Sequence, residues 1–110
     1  MGKPQFPDLI YPVTKIYEGI NRQDYAELSL GLVGRIREDL QNYRPQISTS
    51  VDQIGYNGIL ESVVRELDEL EKYFQDFHNH KKPRISKKSA EKIQASLIKQ
   101  VNALEQLSKR

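Results

Sequence analysis

The chain has 110 residues, of which 37% are hydrophobic and 29% charged, and its mean hydropathy is −0.68. That is one domain's worth of chain, 1–110, able to bury a single core under a polar surface. Cysteine is absent, which excludes disulfide frameworks, thiolate zinc sites, iron–sulfur ligation and thiol nucleophiles, and fits a cytoplasmic setting.

Residues 1–7 read as an extended lead, because Pro4 and Pro7 fix their own φ and push the preceding residues away from helix. No stretch approaches the ~18 apolar residues of a membrane helix. The prolines at the start also argue against a secretory leader, and Phe6 stands where a myristoylation signal needs Ser or Thr. Asp8 is the expected cap of a short first helix, in which Val13, Ile16, Tyr17 and Ile20 mark one face and Gly19 and Asn21 mark the end.

A second helix is expected from about Arg22 or Asp24 to Tyr43. Tyr25, Leu28, Leu32, Ile36, Leu40 and Tyr43 recur at steps of three and four, and Leu30 and Val33 broaden the stripe. Gly31 and Gly34 lie inside it at a cost of roughly 1 kcal/mol each relative to alanine, which points to close packing, a bend, or close approach of a partner. Pro45 closes this helix.

Residues 44–58 read as an irregular connection. Ser50 and Gln53 match a capping box, yet Gly55, Asn57 and Gly58 follow. A third helix starts either at Ser50, bent around the glycines, or after Gly58. Its seam is the clearest in the chain: Leu60, Val63, Leu67, Leu70, Phe74 and Phe77. It should end near residues 78–80, before Pro83. Ser86 is the expected cap of a fourth helix with the stripe Ala90, Ile93, Leu97, Val101, Leu104 and Leu107. The fold class is all-α, an antiparallel four-helix bundle with one short and three long helices.

The net charge of +2 hides an asymmetry. Residues 61–80 carry 2 basic and 6 acidic side chains, and residues 81–110 carry 9 and 2. Lys81, Lys82, Arg84, Lys87 and Lys88 form the densest basic run, at the start of the fourth helix, where the helix dipole also favours anions. No aromatic residue is interleaved to stack on bases. This run is the candidate site for nucleic acid or another polyanion.

Catalytic and metal patterns are missing from the sequence. His78 and His80 are two apart and cannot share a helical face, and Lys81, Lys82 and Arg84 beside them repel a cation. Phosphate-loop, nucleophile-elbow and zinc-protease motifs do not occur, so neither enzymatic activity nor a cofactor is expected. The expected function is a non-enzymatic protein-interaction module: an adaptor, an assembly subunit or an inhibitor. Its candidate contacts are Leu30, Gly31, Val33 and Gly34 on the second helix, and Tyr56, between two glycines. The expected partner is another protein or a second copy, with self-association preferred, because the short first helix leaves part of one groove open unless the lead or the 44–58 connection covers it. Polyanion binding through 81–88 is the alternative.

Overall fold

The computed structural model describes residues 5–110. Four helices form among them: α1 (Ile10–Asn21), α2 (Ala26–Asn42), α3 (Ser50–His78) and α4 (Lys87–Lys109), with a single 3-10 turn, Gln23–Tyr25, between the first two. Packing runs round a ring, α1 on α2, α2 on α3, α3 on α4 and α4 back on α1. This is the expected four-helix bundle.

Side-chain bonds join the helices around the ring and across it. Gln94 Nε2 on α4 donates to the Val13 carbonyl at 3.0 Å. The Tyr73 hydroxyl on α3 donates to the Ile20 carbonyl at 3.3 Å. Arg37 on α2 forks onto α3, with Nη1 2.8 Å from Glu71 and Nη2 2.7 Å from Asp68. Between them lies a core that includes Val13, Ile16, Val33, Ile36, Val63, Leu67, Leu70, Phe74, Leu97 and Leu104, all fully buried.

The helix ends differ from the sequence expectation in instructive ways. The residue before α1 is Leu9, without a side-chain cap, so Asp8 does not cap it. Leu9 instead buries its side chain in the core. Gly19 does not end α1 but sits inside it, because α2 passes there too closely for a side chain. Thr49, not Ser50, caps α3: its hydroxyl accepts the Asp52 N–H at 3.2 Å. α3 then runs unbroken through Gly55 and Gly58 for 29 residues. The glycine cost of roughly 1 kcal/mol each is outweighed because most helical stability comes from packing an apolar face. Ser86 caps α4 as expected, accepting the Ser89 N–H at 3.1 Å.

At 12 and 17 residues, α1 and α2 are shorter than α3 and α4. Extended chain covers the apolar surface that they leave. Leu9 and Tyr43 are buried, Phe6 and Ile47 pack against the core, and the Phe6 and Tyr43 rings meet edge-to-face at 5.3 Å. Residues 5–9 and the 43–49 connection thus cover the core beside the shorter helices, while residues 1–4 of the expected lead lie outside the described residues.

Candidate interaction surface

The five contacts nominated from the sequence do not form one surface. Val33 is 0% exposed and belongs to the core, since α2 packs its 26, 29, 33, 36, 40 row inward. Tyr56 is also buried, at 2%, because continuous helix turns it onto the core beneath Tyr43 instead of holding it out on a loop. Leu30 is half-buried and packs against the core. Gly31 and Gly34 alone are exposed, with nothing within 4 Å of a Cβ at either. Close packing does not explain them. The glycine that does serve close approach is Gly19, where a Cβ would collide with the Ser29 hydroxyl and lie 2.9 Å from the Ser29 Cβ.

The basic run is split by its own arginine. α3 ends in a Schellman turn: the His80 N–H donates to the Phe77 carbonyl at 3.0 Å and the Lys81 N–H to the Asp76 carbonyl at 2.7 Å. His80 takes the left-handed conformation this motif needs, with φ 56°. The chain then doubles back so that Arg84 grips Asp76 with Nε, Nη2 and its own backbone N–H at 3.1, 3.3 and 3.0 Å. These hydrogen bonds hold the Asp76 carboxyl below its ordinary pKa. Arg84 is therefore committed to an internal ion pair, and Lys81, Lys82, Lys87 and Lys88 are exposed cations of this loop that form no ion pair among the described residues. Lys82 and Lys87 share a shallow hollow with Tyr73 and Phe77. His78 and His80 are exposed, and among the described residues no three His, Asp or Glu side chains gather as metal ligands.

A different surface lies on the outward side of the start of α3. Val51 and Ile54 are 77% and 72% exposed, the two most exposed large aliphatic side chains among the described residues. The neighbouring residues of this turn, Asp52 and Gly55, are the ones that meet the end of α4. Arg110 Nη1 lies 3.1 Å from Asp52 Oδ1, and a Cβ on Gly55 would lie 3.8 Å from the Leu107 side chain. Further up, Glu66 Oε1 accepts from Ser96 Oγ at 3.0 Å and Gln100 Nε2 at 2.7 Å. Sequence reasoning passed over Val51 and Ile54, although a signal was present. The α3 seam continued back from Val63 passes through Leu60 and Tyr56, which leaves positions 51 and 54 off the apolar stripe.

No protein-family model, curated protein or solved structure matches this chain. No helix among the described residues is long and apolar enough to cross a membrane.

Proposed function

We propose that this protein is a non-enzymatic protein-interaction module of the cytoplasm, and that it engages its partner at the exposed start of α3. The observation that carries this reading is the exposure of Val51 and Ile54, one helical turn apart at the end of the bundle. An isolated exposed aliphatic residue needs no explanation, but an adjacent pair on an otherwise polar helix face is what a partner covers. Burying such side chains is worth roughly 1.5–3 kcal/mol each, enough to make them the centre of a small interface with a polar rim.

Two acidic side chains of α3 have structural work. Asp76 holds the α3–α4 loop through Arg84, and Glu66 joins α3 to α4 through Ser96 and Gln100. Sedimentation of the native chain and of Ile54→Asp over a wide concentration range, alone and with candidate partners, tests the reading. Association that Ile54→Asp abolishes while the melting curve stays unchanged is expected. Association that survives the substitution would move the interface elsewhere.

A further inference from the structure

Beyond the surface at the start of α3, we infer that the outward face of α4 and the loop before it bind duplex nucleic acid through its phosphate backbone, without reading its sequence. The inference stands on the sign and spacing of the exposed charge. α4 packs on α3 and α1 and buries Ala90, Gln94, Leu97, Val101, Leu104 and Ser108. Lys88, Lys92, Ala95, Lys99, Asn102 and Gln106 recur on the opposite side at steps of four and three, and all are exposed. No acidic side chain falls in that row. Glu91 and Glu105 lie beside it, half-buried, and Glu105 is held by Lys109 at 3.4 Å.

At its head the row meets Lys82 and Lys87, which rim the hollow where α3 turns into α4. Lys82, Lys87, Lys88, Lys92 and Lys99 form no ion pair or side-chain hydrogen bond among the described residues. Lys81 is set apart from them, because its charge already acts on the Asp76 carboxylate. The exposed row of α3 differs, mixing Glu61, Arg65, Glu69 and Lys72. From Lys87 to Lys99 the helix carries its lysines over about 18 Å. A duplex presents one charge per about 1.7 Å, so that length of it offers about ten phosphates.

The side chains of the row select among anionic partners. Lysine is a compact charge on a flexible stem, which meets a phosphate as a point contact. It is depleted at protein interfaces, where aromatic and arginine anchors lead, and the row has neither. A bilayer holds a protein stably only when an apolar or second lipid signal stands beside the charge, and the residues between the lysines are Ala95, Asn102 and Gln106. The exposed Val51 and Ile54 stand near the far end of α4, where Asp52 meets Arg110, and not beside the loop lysines. A single strand is held by stacking its bases on aromatic faces, and the row presents none. A duplex backbone needs only cations, and each phosphate met releases condensed counterions.

The test is fluorescence anisotropy of the whole chain with random-sequence duplex DNA, duplex RNA and single strands over a range of salt. Five phosphate contacts give an expected slope of log affinity against log salt of about −4.5, a loss of two to three orders of magnitude between about 50 and 200 mM. Lys92→Gln with Lys99→Gln removes two contacts and should flatten the slope by about 1.8, with the melting curve unchanged. Lys82→Gln with Lys87→Gln should do the same. The DNA and RNA arms tell which duplex is preferred. Ile54→Asp should leave duplex binding as it is, so this inference and the reading of the α3 surface fail separately.

Lack of binding to either duplex at about 50 mM salt would overturn the inference. Duplex binding with a slope unmoved by the Lys92 and Lys99 pair would overturn the role of α4 and confine the contact to the loop. Tighter binding of single strands than of duplexes would overturn backbone-only recognition. Polyglutamate or phosphatidylserine vesicles bound through the same lysines in place of the duplexes would make an acidic protein or a bilayer the partner.

Discussion

The carboxylate of Asp76 and the guanidinium of Arg84 are eight residues apart and form one closed unit. Asp76 Oδ2 lies 3.1 Å from Arg84 Nε and 3.0 Å from the Arg84 backbone N–H, while Asp76 itself is 6% exposed. A charge-assisted fork to a buried carboxylate is among the stronger polar contacts available to a loop. It fixes the return of the chain from α3 to α4 and removes one cation from the basic run.

The same pair sets an acid dependence. Arg84's hydrogen bonds lower the pKa of Asp76 in the fold from its ordinary 3.8. At pH values between the two, the unfolded chain binds more protons than the folded one, so stability rises with pH. The contribution is complete above the ordinary value and lost as pH falls through the folded value. Urea midpoints of the native chain and of Asp76→Asn, taken from pH 7 to pH 2, are expected to differ by a constant amount above about pH 5 and to converge below about pH 4. A constant gap down to pH 2 would contradict the pairing.

His80 is a correction waiting to be made by substitution. A non-glycine residue in the left-handed region costs roughly 1–2 kcal/mol, and His80 occupies it at φ 56° in the turn that ends α3. His80→Gly is expected to raise stability by about 1 kcal/mol in chemical denaturation, and His80→Val to lower it.

Glycine-to-alanine changes should split by sign. At Gly19 the new Cβ would meet the Ser29 hydroxyl on α2 and lie 3.4 Å from the Phe74 ring. Overpacking there is expected to cost about 1–3 kcal/mol. At Gly31 and Gly34 nothing lies within 4 Å, and alanine should stabilise α2 by about 0.5–1 kcal/mol at each. Thermal melts of the three single variants read the contrast directly.

Tyr56 is buried with its hydroxyl unpaired among the described residues, and burial, helped by Tyr43, pushes its pKa up to about 12. Removing a buried hydroxyl that lacks a partner leaves nothing unsatisfied, so Tyr56→Phe is expected to be neutral or stabilising by up to about 1 kcal/mol. The pH dependence carries its own sign. The folded chain holds this proton above pH 10, where the unfolded chain releases it, so the native protein loses stability between about 10 and 12. Tyr56→Phe should lose less over that range in alkaline denaturation.

The sequence by itself determined the architecture. The steps of three and four from Val63 to Phe74 and from Ala90 to Leu104 leave one apolar face per helix, and water drives those faces together whatever the detailed packing. Pro45, Pro83 and Ser86 placed two of the connections for equally local reasons: a lost N–H, a restricted neighbour, a hydroxyl cap. Periodicity reports which face of a helix is apolar, but it does not report what lies across from it. Only the tertiary structure decided that Gly19 meets Ser29 while Gly31 meets open space, that Tyr56 turns in while Val51 and Ile54 stay out, and that Arg84 folds back onto Asp76. Each of these depends on the level at which one helix passes another, and that level is set by contacts such as Gln94 with Val13, joining residues 81 positions apart that no local pattern connects.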